Sequence, residues 1–110
     1  VSEQPSDPTW KLKLRYGRTA TPYSHFTVIA EGTVGDLAPG FSCPRGPAFM
    51  GMKTWALSLD ESADMMSAIS RQVGFRITGS IEVFVTEPQE PPRDKPFGYD
   101  ITFTPFDPSA

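Results

Sequence analysis

His25 and Cys43 are the only histidine and the only cysteine of the chain, and they are its best candidates for a base and a thiol nucleophile at neutral pH. Nucleophilic catalysis needs a serine, threonine or cysteine within reach of a base. His25 falls on the polar side of an alternating segment, with no partner marked by spacing, and reads as an exposed or edge-satisfied imidazole. Cys43 lies in Ser42-Cys43-Pro44-Arg45-Gly46, where a guanidinium two residues away can favour the thiolate. It has no second cysteine for a CxxC pair, and as a small loop residue it reads as structural.

Metal and nucleotide chemistry find less support. One histidine and one cysteine cannot make a structural zinc site. Asp60, Glu61 and Asp64 lack the alternation and central glycine of a calcium loop, and they suit the positive end of a helix dipole instead. No GxGxxG or GxxxxGK[ST] occurs, and Gly32, Gly35 and Gly40 follow no phosphate-loop spacing. No catalytic residue, metal or cofactor is therefore assigned, and the chain is read as not an enzyme.

The residues that suggest contact rather than chemistry are Lys11, Lys13 and Arg15, three cations on one strand face about 7 Å apart, with Arg18 just beyond. Such a row either meets an acidic partner or guards a strand edge against aggregation. Phe84 is an aromatic residue on the polar side of the strongest alternating segment, and Arg93 belongs to the proline-stiffened stretch Glu87–Gly98, whose low backbone entropy suits recognition. These six residues are the candidate partner-binding set.

The elements that must position them follow from periodicity and from the 12 prolines, which punctuate the chain. Trp10, Leu12, Leu14 and Tyr16 alternate with the basic row and predict a half-buried strand. Phe26, Val28 and Ala30 alternate with His25, Thr27 and Glu31, predicting a second strand that returns beside the first as a hairpin. Gly32 to Pro47 is dense in breakers and reads as one long loop. Phe49–Leu57 predicts a central strand without clean alternation.

Ser58-Leu59-Asp60-Glu61 has the form of a capping box, Ala63, Met66, Ile69 and Val73 make an apolar stripe, and Gly74 can close the helix in the left-handed region. Phe75 to Thr86 is the longest period-two run, and Tyr99, Ile101 and Phe103 alternate up to Pro105. The expected fold is α+β: a five-stranded, mostly antiparallel sheet with one main helix on one face, in the order β-β-loop-β-α-β-β. Residues 1–8 and 106–110 are expected to be flexible tails of a single domain spanning 1–110.

A chain of 110 residues buries roughly two thirds of its unfolded surface, enough for one core and not for two domains. The charge of −3 disfavours a phosphate backbone, so nucleic acid is not an expected partner. Apolar runs are far shorter than the roughly 20 residues of a membrane helix, so no membrane partner is expected, and the single cysteine points to a reducing, cytoplasmic setting. The function expected is non-catalytic binding through protein–protein contact, of an immunity, inhibitor or adaptor type. The alternatives are a subunit that pairs through a sheet edge, as in a homodimer, and a small-molecule binder or cryptic enzyme with a pocket lined by Trp55, Met65 or Phe41.

Overall fold

The computed structural model describes residues 21–107. They form β1 (Ser24–Val34), β2 (Gly46–Ala56), α1 (Leu59–Val73), β3 (Phe75–Val85) and β4 (Phe97–Pro105). The sheet order is β3-β1-β2-β4, and every neighbouring pair is antiparallel. The fold is thus α+β with one helix, but the sheet has four strands among the described residues, which corrects the expected five. The expected Trp10–Tyr16 strand lies outside those residues, and the hairpin it was to open is not available on β1. Both edges of β1 are taken, by β2 along its whole length and by β3 over Phe26–Val34. Alternation identifies a strand but carries no information about which neighbour fills each side, and here the following strand β2 fills one side and β3, from beyond the helix, fills the other.

The boundaries differ for a related reason. β1 continues through Gly32, which the density of breakers assigns to a loop. A side chain there would run into the Phe75 ring and the Arg76 carbonyl, so this glycine serves close packing of β1 against β3 and not a turn. The connection between β1 and β2 shortens to residues 35–45.

α1 starts as its residues dictate. Ser58 accepts a hydrogen bond from the Glu61 amide at 3.1 Å, and the Glu61 carboxylate accepts from the Leu57 amide at 2.7 Å. It ends at Gly74, with φ of 96°, whose amide donates to the Ser70 carbonyl. The 35–45 loop then closes that end, with the Gly35 and Ala38 amides donating to the carbonyls of Gly74 and Val73 at 3.0 and 2.9 Å.

The helix covers one face of the sheet. Val28, Ala30 and Val34 of β1, Ala48, Met50 and Met52 of β2, and Phe75 of β3 pack with Met66 and Val73 in a buried core. Ser62 and Ser70 are buried on the same side of α1, and their small size allows a close approach to the sheet. The Ser62 hydroxyl is matched by that of Thr54 at 2.8 Å. The remaining connection, residues 86–96, joins β3 at one edge of the sheet to β4 at the other. It must cross the ends of β1 and β2.

Candidate functional site

The face opposite the helix divides into two parts. At one end it is roofed by the proline-rich crossing, and the residues that hold the roof include the sole histidine. His25 on β1 faces Trp55 on β2, with ring centroids 5.2 Å apart in an edge-to-face arrangement. Its Nδ1 lies 3.1 Å from the Thr86 carbonyl and its Nε2 lies 2.6 Å from the Tyr99 hydroxyl. A carbonyl only accepts, so Nδ1 carries the proton and Nε2 takes the proton of the Tyr99 hydroxyl. The Tyr99 oxygen accepts in turn from the amides of Gln89 and Glu90, at 3.0 and 3.2 Å. Trp55 Nε1 donates to the Glu90 carbonyl at 2.8 Å, and the Tyr23 hydroxyl donates to the Asp94 carbonyl at 3.0 Å.

His25 is therefore buried at 5% exposure, on a face where sequence alternation places it in solvent. Burial holds its pKa below the ordinary 6.5; the Thr86 carbonyl opposes that shift, the Lys53 ammonium adds to it, and Glu87 opposes it. Both ring nitrogens are occupied by structural hydrogen bonds, so the imidazole anchors the crossing. Arg93 has the same duty, with its guanidinium 4.1 Å from the centre of the Phe97 ring and 3.4 Å from the Glu90 carboxylate.

The rest of this face is left uncovered by the described residues. Register sets Ile29 opposite Glu82 on β3 and opposite Gly51 on β2. Phe84 is opposite Thr27, and Phe49 is opposite Glu31. Phe84, Ile29 and Phe49 therefore step diagonally across three strands, each one pair further along than the last. Phe106 continues the line past the end of β4: its amide donates to the Pro47 carbonyl, and its ring stacks on Phe49 with centroids 4.7 Å apart. Phe84 is 44% exposed, Phe49 39% and Ile29 38%. Thr33, Thr102, Thr104, Glu31 and the ion pair of Lys53 with Asp100 surround the stripe.

Of the six residues singled out from sequence, Lys11, Lys13, Arg15 and Arg18 lie outside the described residues. Phe84 belongs to the stripe near the β3 edge, whereas Arg93 packs on β4 at the opposite edge, so the structure does not bring these two together. Ile29, Phe49 and Phe106 are the residues that sequence reasoning missed. Ile29 did carry a signal, because it stands in the polar phase of β1. Phe49 did not, because the run of apolar residues in β2 conceals its phase.

Cys43 is half-buried against the core, and the guanidinium of Arg45 pairs with Asp36. Trp55 faces the crossing on the open side while Met65 belongs to the helix and Phe41 packs with the core, so these three do not line one pocket. Among the described residues no three His, Cys, Asp or Glu side chains are grouped to hold a metal ion. No described helix is long and apolar enough to cross a membrane. Comparison with protein-family models, with curated proteins and with solved structures found no match.

Proposed function

We propose that the chain is a non-catalytic protein-binding module, of the immunity, inhibitor or adaptor type, that meets its partner through the open face of the sheet. The observation that carries this reading is the stripe Phe84–Ile29–Phe49–Phe106. Four large apolar side chains from three strands and the segment after β4 line up on a surface that the helix does not cover. Isolated exposed apolar residues are ordinary, but a contiguous line of them on a rigid platform with a polar border has the layout of an interface centre.

The platform also keeps the cost of binding low. The central strands β1 and β2, paired on both sides, and the tethered crossing leave little to order when a partner docks. The partner that fits is a protein offering an apolar ridge, with a cation beside it to meet Glu31, which is exposed and forms no ion pair among the described residues. The saturated hydrogen bonding of His25 supports binding over catalysis, and the single cysteine supports a cytoplasmic setting.

A photo-crosslinking residue at position 29 in the native host tests this. It should capture a protein that the double variant Phe49→Ser, Phe84→Ser no longer binds, with circular dichroism establishing that the variant is folded, because each ring is only 39–44% exposed and that of Phe49 packs on Phe106. Retention of the captured partner by the double variant would refute the reading.

A further inference from the structure

The two edges of the sheet are not equivalent. β4 is bounded by Pro96 and Pro105, and it is kinked where Asp100 takes a φ of 55° and an extra residue passes Met52. Prolines and bulges are how sheets blunt an edge. β3 contains neither proline nor lysine from Phe75 to Val85, and no strand among the described residues pairs with its outer side. An edge of this kind is a template for another strand.

The residues on that edge read with the same character from either end. Phe75-Arg76-Ile77-Thr78-Gly79-Ser80-Ile81-Glu82-Val83 runs apolar, charged, apolar, hydroxyl, glycine, hydroxyl, apolar, charged, apolar, and the two charges are opposite. Arg76 and Glu82 are exposed, and neither forms an ion pair among the described residues. Positive charge is reinforced at one end only, because Arg71 from the end of α1 lines the same surface depression as Arg76.

We infer that β3 pairs antiparallel with β3 of a second copy about a two-fold axis through Gly79. This register sets Arg76 against Glu82 of the second copy, Ile77 against its Ile81 and Thr78 against its Ser80. The two-fold repeats each pair, so both ion pairs are satisfied together. Paired positions share a face, so the pairing doubles the four-stranded sheet, puts both helices on one side and leaves both apolar stripes open on the other.

The irregularity of β3 is compatible with this register. Thr78, Gly79 and Ser80 together pass the single β1 residue Glu31, a bulge that by itself would discourage an added strand. About the two-fold the bulge meets its own copy, so the arms on either side match in length, while the missing side chain of Gly79 makes room for Glu31 of the same chain, which a Cβ there would meet at 2.7 Å. The pairing uses the edge and not the open face, so it is independent of partner binding.

The test is sedimentation of the full chain from micromolar to millimolar concentration, with charge reversals. The wild type should show a concentration-dependent dimer. Arg76→Glu and Glu82→Arg should each raise its dissociation constant by roughly tenfold or more, since each converts two attractive pairs into two repulsive ones. Mixing the two variants should restore association as a heterodimer. The glutamate introduced at position 76 of one chain then meets the arginine introduced at position 82 of the other, and the unchanged Glu82 of the first meets the unchanged Arg76 of the second.

Circular dichroism establishes that each variant is folded. In the wild type, hydrogen exchange of the outward β3 amides should slow as concentration rises. A chain that stays monomeric at millimolar concentration, a dimer that neither reversal weakens, single variants that do not re-associate on mixing, or exchange in β3 independent of concentration would each overturn the inference.

Discussion

Replacing Tyr99 with phenylalanine removes one oxygen and three hydrogen bonds: the one donated to His25 Nε2 and the two accepted from the Gln89 and Glu90 amides. The two amides belong to exposed or half-buried residues and can turn to water, so each loss costs about 0.5 kcal/mol. The imidazole cannot do the same, because His25 is 5% exposed and a buried acceptor left without a donor costs about 1–3 kcal/mol. The expected destabilisation is roughly 2–4 kcal/mol in urea unfolding. Faster hydrogen exchange should be concentrated in residues 86–96 and leave the β1–β2 pairing unaffected.

The same network gives a pH dependence. Protonating Nε2 would point a second donor at the Tyr99 oxygen, which already accepts two amides, so the neutral ring is favoured in the fold. The groups facing the ring are Lys53 of β2, Glu87 of the crossing and Tyr99 of β4, and burial outweighs the raising influences of Glu87 and the Thr86 carbonyl. With the folded pKa below the unfolded value of about 6.5, the unfolded chain binds more protons in acid. Stability contributed by His25 is complete above that value, falls as pH drops below it through the folded pKa, and is level beneath. Nuclear magnetic resonance titration of His25 should show a midpoint below 6.5 in the wild type and one moved upward in Tyr99→Phe, where the roof is loosened. A variant within about 0.5 kcal/mol of wild type, with exchange over 86–96 unchanged, would refute the anchoring role of this network.

Thr54→Val leaves the buried Ser62 hydroxyl without its partner and should cost about 1–2 kcal/mol, whereas the double change with Ser62→Ala should cost less than the sum of the singles in a double-mutant cycle. Gly74→Ala should destabilise by about 2–3 kcal/mol in chemical denaturation, because the backbone there is left-handed and the added carbon would stand 2.1 Å from the Asp36 carbonyl oxygen. Equal stability of that variant would show that the 35–45 loop yields easily at the end of the helix.

The parts of the fold legible in the sequence are those decided by neighbours along the chain. Ser58 and Glu61 cap a helix, Gly74 ends it, and the alternation of Phe75–Val85 marks a strand, because hydrogen bonds and phase within a few residues determine each. Phe84 was visible as an aromatic residue out of phase, so one member of the open-face stripe could be found without a structure. Tertiary structure alone decided the rest. The order β3-β1-β2-β4 puts the following strand β2 on one side of β1 and β3, from beyond the helix, on the other, and the opposite edge positions of β3 and β4 force residues 86–96 across the sheet. That crossing buries His25 on a face that alternation assigns to water, while the diagonal register assembles Ile29, Phe49 and Phe106 beside Phe84. Side-chain phase says which face of a strand a residue occupies, but only the packing of remote segments determines whether that face is roofed, covered by a helix or left open.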